Sequence, residues 1–233
     1  MRSIVLILLF FAGSFLNAQE TGDNKWGAWY MYFGKNKISE NLSIHSETQL
    51  RLYETTRNFN QLLLRTGLNY QLNPDAMATL GYGYIITDGS FAEFPNERNT
   101  REHRIFEQFI IINKVGEFLL EHRYRMEQRF LDFGADNDIQ HRARYRLQIT
   151  LPLTDIFFIN VYDEVFLNLQ DTIFGQNRLY AAVGIHISHN ISIQIGYLKN
   201  HFNTINFDRL QIGVSFNPDL RGIFNKAVDE SSN

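Results

Sequence analysis

Between Trp26 and Phe216 apolar and polar residues alternate with a period of two, segment after segment, and this pattern constrains the fold more than any other property of the chain. A period of two belongs to an extended strand, whose successive side chains point to opposite faces; a helix repeats every ~3.6 residues, and that repeat is nearly absent. Leu42, Ile44, Ser46, Thr48, Leu50 and Leu52 fall on one face, while His45, Glu47, Gln49, Arg51 and Tyr53 fall on the other. Leu62, Leu64, Leu68 and Leu72 stand against Gln61, Arg65, Asn69 and Gln71. After the Asn73-Pro74-Asp75 turn, Ala78, Leu80, Tyr82, Tyr84 and Ile86 oppose Thr79, Gly81, Gly83 and Thr87. The pattern holds to the end, where Leu210, Ile212, Val214 and Phe216 oppose Arg209, Gln211, Gly213 and Ser215. Two places break it. Arg101 to Lys114 puts polar groups on both faces, Arg104 and Gln108 against His103 and Glu107, which predicts a β-bulge. Asp163 is an acid on an otherwise apolar face.

Strands with one apolar and one polar face suit a soluble sandwich, apolar side inward, or a membrane barrel, apolar side outward. Three features favour the barrel. Many segments run past ten residues, whereas strands of globular proteins average about five or six. Aromatic residues gather near strand ends, at Trp26, Trp29, Tyr30, Tyr53, Tyr70, Tyr82, Tyr84, Phe130, Phe157 and Tyr197, as interfacial girdles do. The chain also begins with Met1-Arg2-Ser3, an apolar run from Ile4 to Leu16 and a small residue at Ala18, the pattern of a cleaved secretory signal peptide. That run would span about 20 Å as a helix, short of the ~30 Å hydrocarbon core, and no later stretch approaches the length of a membrane helix. The absence of cysteine excludes disulfides, thiol catalysis and a lipidated N-terminus.

Short connections are expected at Lys35 to Lys37, Asn73 to Asp75, Lys114 to Gly116, Pro152 to Asp155 and Ser188 to Asn190, and longer ones at Asp88 to Thr100, Leu131 to Asp138, Gln170 to Gly175 and Lys199 to Asn206. The expectation is therefore an all-β chain forming a single antiparallel transmembrane β-barrel of 10 to 12 strands, with short periplasmic turns and longer extracellular loops, in the cell outer membrane. About eleven segments read as strands; an even number is usual, so ten or twelve is expected, with Trp26 to Phe33 the doubtful stretch. Residues 1–18 read as the leader, 19–216 as the barrel and 217–233 as a periplasmic tail.

Several runs carry a resemblance: "SIHSETQLR", "QLLLRTGLNYQL", "GYGY", "EHRIFEQF", "HRYRMEQRF", "RARYRLQITLPL" and "YDEVFLN". Together they resemble an uncharacterised bacterial family catalogued as a domain of unknown function and taken to be outer-membrane β-barrels. The resemblance implies fold and location, and brings no functional residue.

If the apolar face meets lipid, the polar face lines the lumen. Arg51, Arg65, Arg123, Arg125, Arg129, Arg142, Arg144, Arg146, Arg178 and Arg209 fall there, against Glu47, Glu121, Glu127 and Glu164. Such cations cost free energy unless paired with a carboxylate, an anion or water. Two readings follow: an anion-leaning, porin-like pore whose surplus arginines form a track, and a closed structural or partner-binding barrel plugged by Arg/Glu pairs. A third, a hydrolase or acyltransferase at the rim, would draw on Asp88, Ser90, Glu93, Glu97, His103, His201 and Asp208, without any spacing that brings them together. Asp132, Asp136 and Asp138 lack calcium-loop spacing and no cluster has zinc spacing, so neither metal nor cofactor is expected. Gly81-Tyr82-Gly83-Tyr84 is no phosphate loop. A net charge of −3 argues against nucleic acid. The expected partners are outer-membrane lipid and a small anionic solute; no protein partner is legible.

Overall fold

The computed structural model describes residues 21–92, 98–134, 136–170 and 172–223; the leader, Glu93, Glu97 and the last part of the tail lie outside them. Eleven strands follow one another: β1 (Trp26–Lys37), β2 (Leu42–Leu52), β3 (Phe59–Asn73), β4 (Ala76–Thr87), β5 (Thr100–Val115), β6 (Phe118–Asp132), β7 (Asn137–Pro152), β8 (Phe157–Asn168), β9 (Phe174–Ser188), β10 (Ile191–His201) and β11 (Asn206–Phe216). Each pairs with the next, and β1 pairs with β11, so the sheet closes into a barrel with no free edge. The count lies within the expected range, but it is odd. Trp26 to Phe33 belongs to a full strand, and an up-and-down ring of odd number brings its first and last strands together pointing the same way. The β1–β11 seam is accordingly parallel, from Trp26 opposite Asp208 to Gly34 opposite Phe216.

One rim carries the connections at residues 38–41, 74–75, 116–117, 153–156 and 189–190; the other carries those at 53–58, 88–99, 133–136, 169–173 and 202–205. The second set is longer on the whole, though 133–136 and 202–205 are no longer than the longest turns. The first turn comes later than expected because Lys37 still pairs with Ser43.

Strands of 11 to 16 residues suffice to cross a bilayer at a tilt, since about 9–11 are needed. The outward side chains include Leu64, Leu68, Leu80, Val183, Ile193 and Ile195, and the inward ones include Glu47, Arg65, Arg125, Glu127 and Arg144. This is the reverse of a soluble core. Aromatic residues stand at both rims, Trp26, Phe130 and Phe174 on one and Phe118, Phe157 and Phe216 on the other. Trp29 and Tyr53, expected in a girdle, instead turn into the lumen and are buried.

The bulge expected in Arg101 to Lys114 is absent: β5 pairs with β4 and β6 in unbroken register. Glu102, Arg104, Phe106 and Gln108 point inward; His103, Ile105, Glu107 and Phe109 point outward. The outward polar groups are satisfied across strands rather than by a kink. The Tyr82 hydroxyl and His103 Nδ1 are 2.6 Å apart, and Gln128 Nε2 donates to Glu107 at 3.1 Å. Asp163, the other misfit, accepts from Asn177 at 3.0 Å. Inward Phe106 is accommodated by Gly81, where a Cβ would come within 2.3 Å of the ring; Gly184 does the same for Phe158, at 2.1 Å.

Beyond β11 the chain extends the parallel seam. Lys37 donates its amide to the Pro218 carbonyl at 2.9 Å, and Leu220 donates to the Lys37 carbonyl at 2.8 Å. Arg221 pairs with Asp219 at 2.6 Å and also with Glu40. The Arg221 guanidinium holds the Asp219 carboxyl down at about 2. A depressed acid contributes its stabilisation above its unfolded pKa and loses it as pH falls through the folded value. The Asp219–Arg221 turn is therefore expected to hold at neutral and mildly acid pH and to loosen between about 4 and about 2, read as faster hydrogen exchange at the Arg221 amide, which donates to Asp219.

Candidate functional site

Alternation along β2 to β11 aims one polar side chain in two at the barrel axis, and there the side chains enclose two cavities. One, of about 340 Å³, lies toward the rim with the longer loops; the other, of about 380 Å³, lies toward the turns. Trp29, Arg51, Arg65, Arg144 and Arg178 line both and so form the layer between them. Of the arginines expected in the lumen, Arg129, Arg142 and Arg209 line the loop-side cavity and Arg123, Arg125 and Arg146 the turn-side one. Glu47, Glu121 and Glu164 line the turn-side cavity, while Glu127 is fully buried behind the arginines.

Like charges do stand side by side, Arg123 opposite Arg146 and Arg125 opposite Arg144. Their partners come from neighbouring strands. Glu127 on β6 receives Arg142 and Arg144 of β7 at 2.6 Å each, Arg104 of β5 at 3.4 Å, and Arg65 of β3 and Arg125 at 3.8 Å. Glu164 on β8 receives Arg144 and, across β7, Arg123 of β6, both at 2.7 Å. Glu47 pairs with Arg65 at 3.0 Å and is hydrogen-bonded to Gln49 and His45. Arg146 is paired with Glu121. Arg125 donates its Nε to Gln108 at 2.9 Å. Burying any one of these charges alone would cost several kcal/mol, so the carboxylates hold the ladder together.

The alternation did not assign Glu102 and Arg104, which face inward and pair at 2.6 Å, with Arg129 joining Glu102 at 2.9 Å. The signal lay in the glycines: a strand whose inward positions are Gly81 and Gly83 leaves room for an inward aromatic on its neighbour, which fixes the parity of Phe106 and hence of Arg104. The aromatic lining was also not foreseen. The Arg51 guanidinium sits 3.9 Å from the Trp29 ring centre, and Arg144 sits 4.1 Å from that of Phe166. These contacts hold planar cations in fixed orientation.

The loop-side cavity is the more one-sided. Arg51, Arg65, Arg104, Arg129, Arg142, Arg144, Arg178 and Arg209 line it, and among the described residues no carboxylate does. Its guanidinium donors can receive an oxyanion.

Among the described residues, the candidate catalytic side chains do not converge. Ser90 donates to the Ala92 carbonyl, Asp88 accepts the Ser90 amide, His201 meets Asn206, and Asp208 meets Lys199 and Tyr197. Among the described residues no group of acids and histidines could hold a metal ion. A further concavity, about 780 Å³ on the outer wall, is apolar between Leu68, Leu80, Phe109 and Tyr145. It belongs to the outward, largely apolar face of the barrel wall.

Residues 26–211 match the model of a family described as "Protein of unknown function (DUF2490)". An uncharacterized protein of Methylorubrum extorquens is 29% identical over 173 residues, covering 68% of this chain and 71% of its own. The NanC porin has the same overall fold, with a TM-score of 0.50 at 12% identity, over 82% of this chain and 97% of that one. The siderophore receptor PirA of Pseudomonas aeruginosa shares less, a TM-score of 0.34 at 12% identity over 75% of this chain and 34% of the receptor.

Proposed function

This chain belongs to the DUF2490 family, whose description names no activity, and from its own interior we propose that it is a narrow outer-membrane barrel passing small anions through an arginine-lined lumen. The observation that carries this reading is the loop-side cavity, lined by eight arginines and, among the described residues, no carboxylate. Rings of arginine favour anions, and in a lumen this narrow each solute passes within reach of several guanidiniums. Its place in the cell is read as the outer membrane, with residues 217–233 on the periplasmic side and a cleaved leader over residues 1–18.

In planar bilayers under a potassium chloride gradient, the purified protein should give single-channel currents with a reversal potential of the anion-selective sign. Cation selectivity, or complete silence, overturns the proposal. Silence would favour a closed structural barrel, a reading supported by the layer in which Glu127 and Glu164 gather arginines from β3, β5, β6 and β7.

A further inference from the structure

Within the loop-side cavity three guanidiniums have no carboxylate at ion-pairing distance among the described residues: Arg51, Arg178 and Arg209. Each is held by something else. Arg51 lies on Trp29 and donates to the neutral side chains of Gln49, at 3.1 Å, and Gln61, at 2.7 Å. Arg178 is sandwiched between Trp29 and Phe166, 4.7 and 4.5 Å from the ring centres; it is 8% exposed, and its buried Nε has no acceptor. Arg209 lies 4.5 Å from the centre of Phe207 and, among the described residues, donates to the backbone carbonyls of Lys25 and Asp208. Aromatic faces fix the planes of these cations, and the nearest carboxylates, such as Glu164 opposite Arg178 in the β8–β9 register, stay beyond ion-pairing distance.

The charge of the missing counterpart follows. A monocarboxylate in this cavity would still leave two of the three cations without an anion in contact in a region shielded from bulk water. A phosphoryl group carries about −1.5 to −2 at neutral pH and presents three terminal oxygens, which suits several planar guanidinium forks converging from different strands. Gln61, Gln176 and Asn200 line the same space and add neutral donors. We infer that the loop-side cavity is a binding subsite for a phosphoryl group, free or carried by a small solute, with Arg51, Arg178 and Arg209 as its principal ligands. The inference rests on the anion reading of the same lumen and names its substrate class.

The test is calorimetric titration of the full-length protein in detergent, at neutral pH and constant ionic strength, with inorganic phosphate, glucose 6-phosphate and acetate. Inorganic phosphate should bind at least about tenfold more tightly than acetate, the size of one added charge-assisted hydrogen bond. Arg178→Gln and Arg51→Gln should each lower phosphate affinity about tenfold, while Arg221→Gln on the tail leaves it unchanged. Glucose 6-phosphate binding alongside phosphate supports a phosphorylated solute as ligand; its exclusion supports the free ion. Equal affinity for acetate and phosphate in the wild-type protein overturns the inference without any variant, as does undiminished phosphate binding in both lumen variants. The two proposals fail separately: anion currents without preference for phosphate sink this one alone, and phosphate binding by an electrically silent barrel sinks only the pore.

Discussion

Glu127→Ala is expected to destabilise the barrel by about 3–5 kcal/mol, measured by urea unfolding of the protein in lipid vesicles. Glu127 is wholly buried, and five arginines from β3, β5, β6 and β7 approach its carboxylate within 3.8 Å. Among the described residues, its removal leaves Arg142 and Arg125 with no remaining carboxylate partner and deprives Arg144 of one of two. Uncompensated guanidiniums in a dry interior are the costly case; replacing a whole charged cluster by apolar groups can be close to neutral, whereas deleting one member is not. Glu127→Gln keeps an acceptor for one or two of the arginines and should fall between wild type and Ala. A loss below about 1 kcal/mol for Ala would mean that water and mobile ions already screen the ladder, which is the behaviour of an exposed pair rather than a buried one.

Ile195→Arg should cost about 2–4 kcal/mol in the same assay, the price of a cation at the middle of a lipid-facing barrel strand. Ile195 is 53% exposed near the centre of β10, flanked by Val183 on β9 and Ile212 on β11, so the new charge would find no partner in its row. If that wall were in contact with water, the substitution would be near neutral, within about 0.5 kcal/mol. The measurement therefore decides which solvent the aliphatic face meets, independently of any current through the lumen.

Most of the architecture was legible because period-two alternation survives wherever one face is largely apolar, as in β2, β3, β9 and β11. It failed where both faces are mixed. In β5, Phe106 and Ile110 point inward while His103 and Glu107 point outward, and the compensating partners, Tyr82 and Gln128, sit on other strands. The same limit hid the pairing scheme. That Glu164 reaches over β7 to Arg123 depends on the lateral order of three strands, which residue spacing does not carry. Aromatic type misled at Trp29, where the ring serves as a platform for Arg51 and Arg178 instead of an interfacial anchor. Face parity was the sounder guide at Tyr53, which shares a side with Arg51. The even strand count assumed a closure between antiparallel partners, and only the full ring reveals that the last strand runs with the first.

That seam has a topographic consequence. Eleven passes carry the polypeptide across the bilayer an odd number of times, so the residues leading into β1 emerge beside the longer loops and those following β11 emerge beside the turns. A fluorescent or protease-sensitive handle placed just ahead of Trp26 would report on the opposite compartment from one placed just after Phe216.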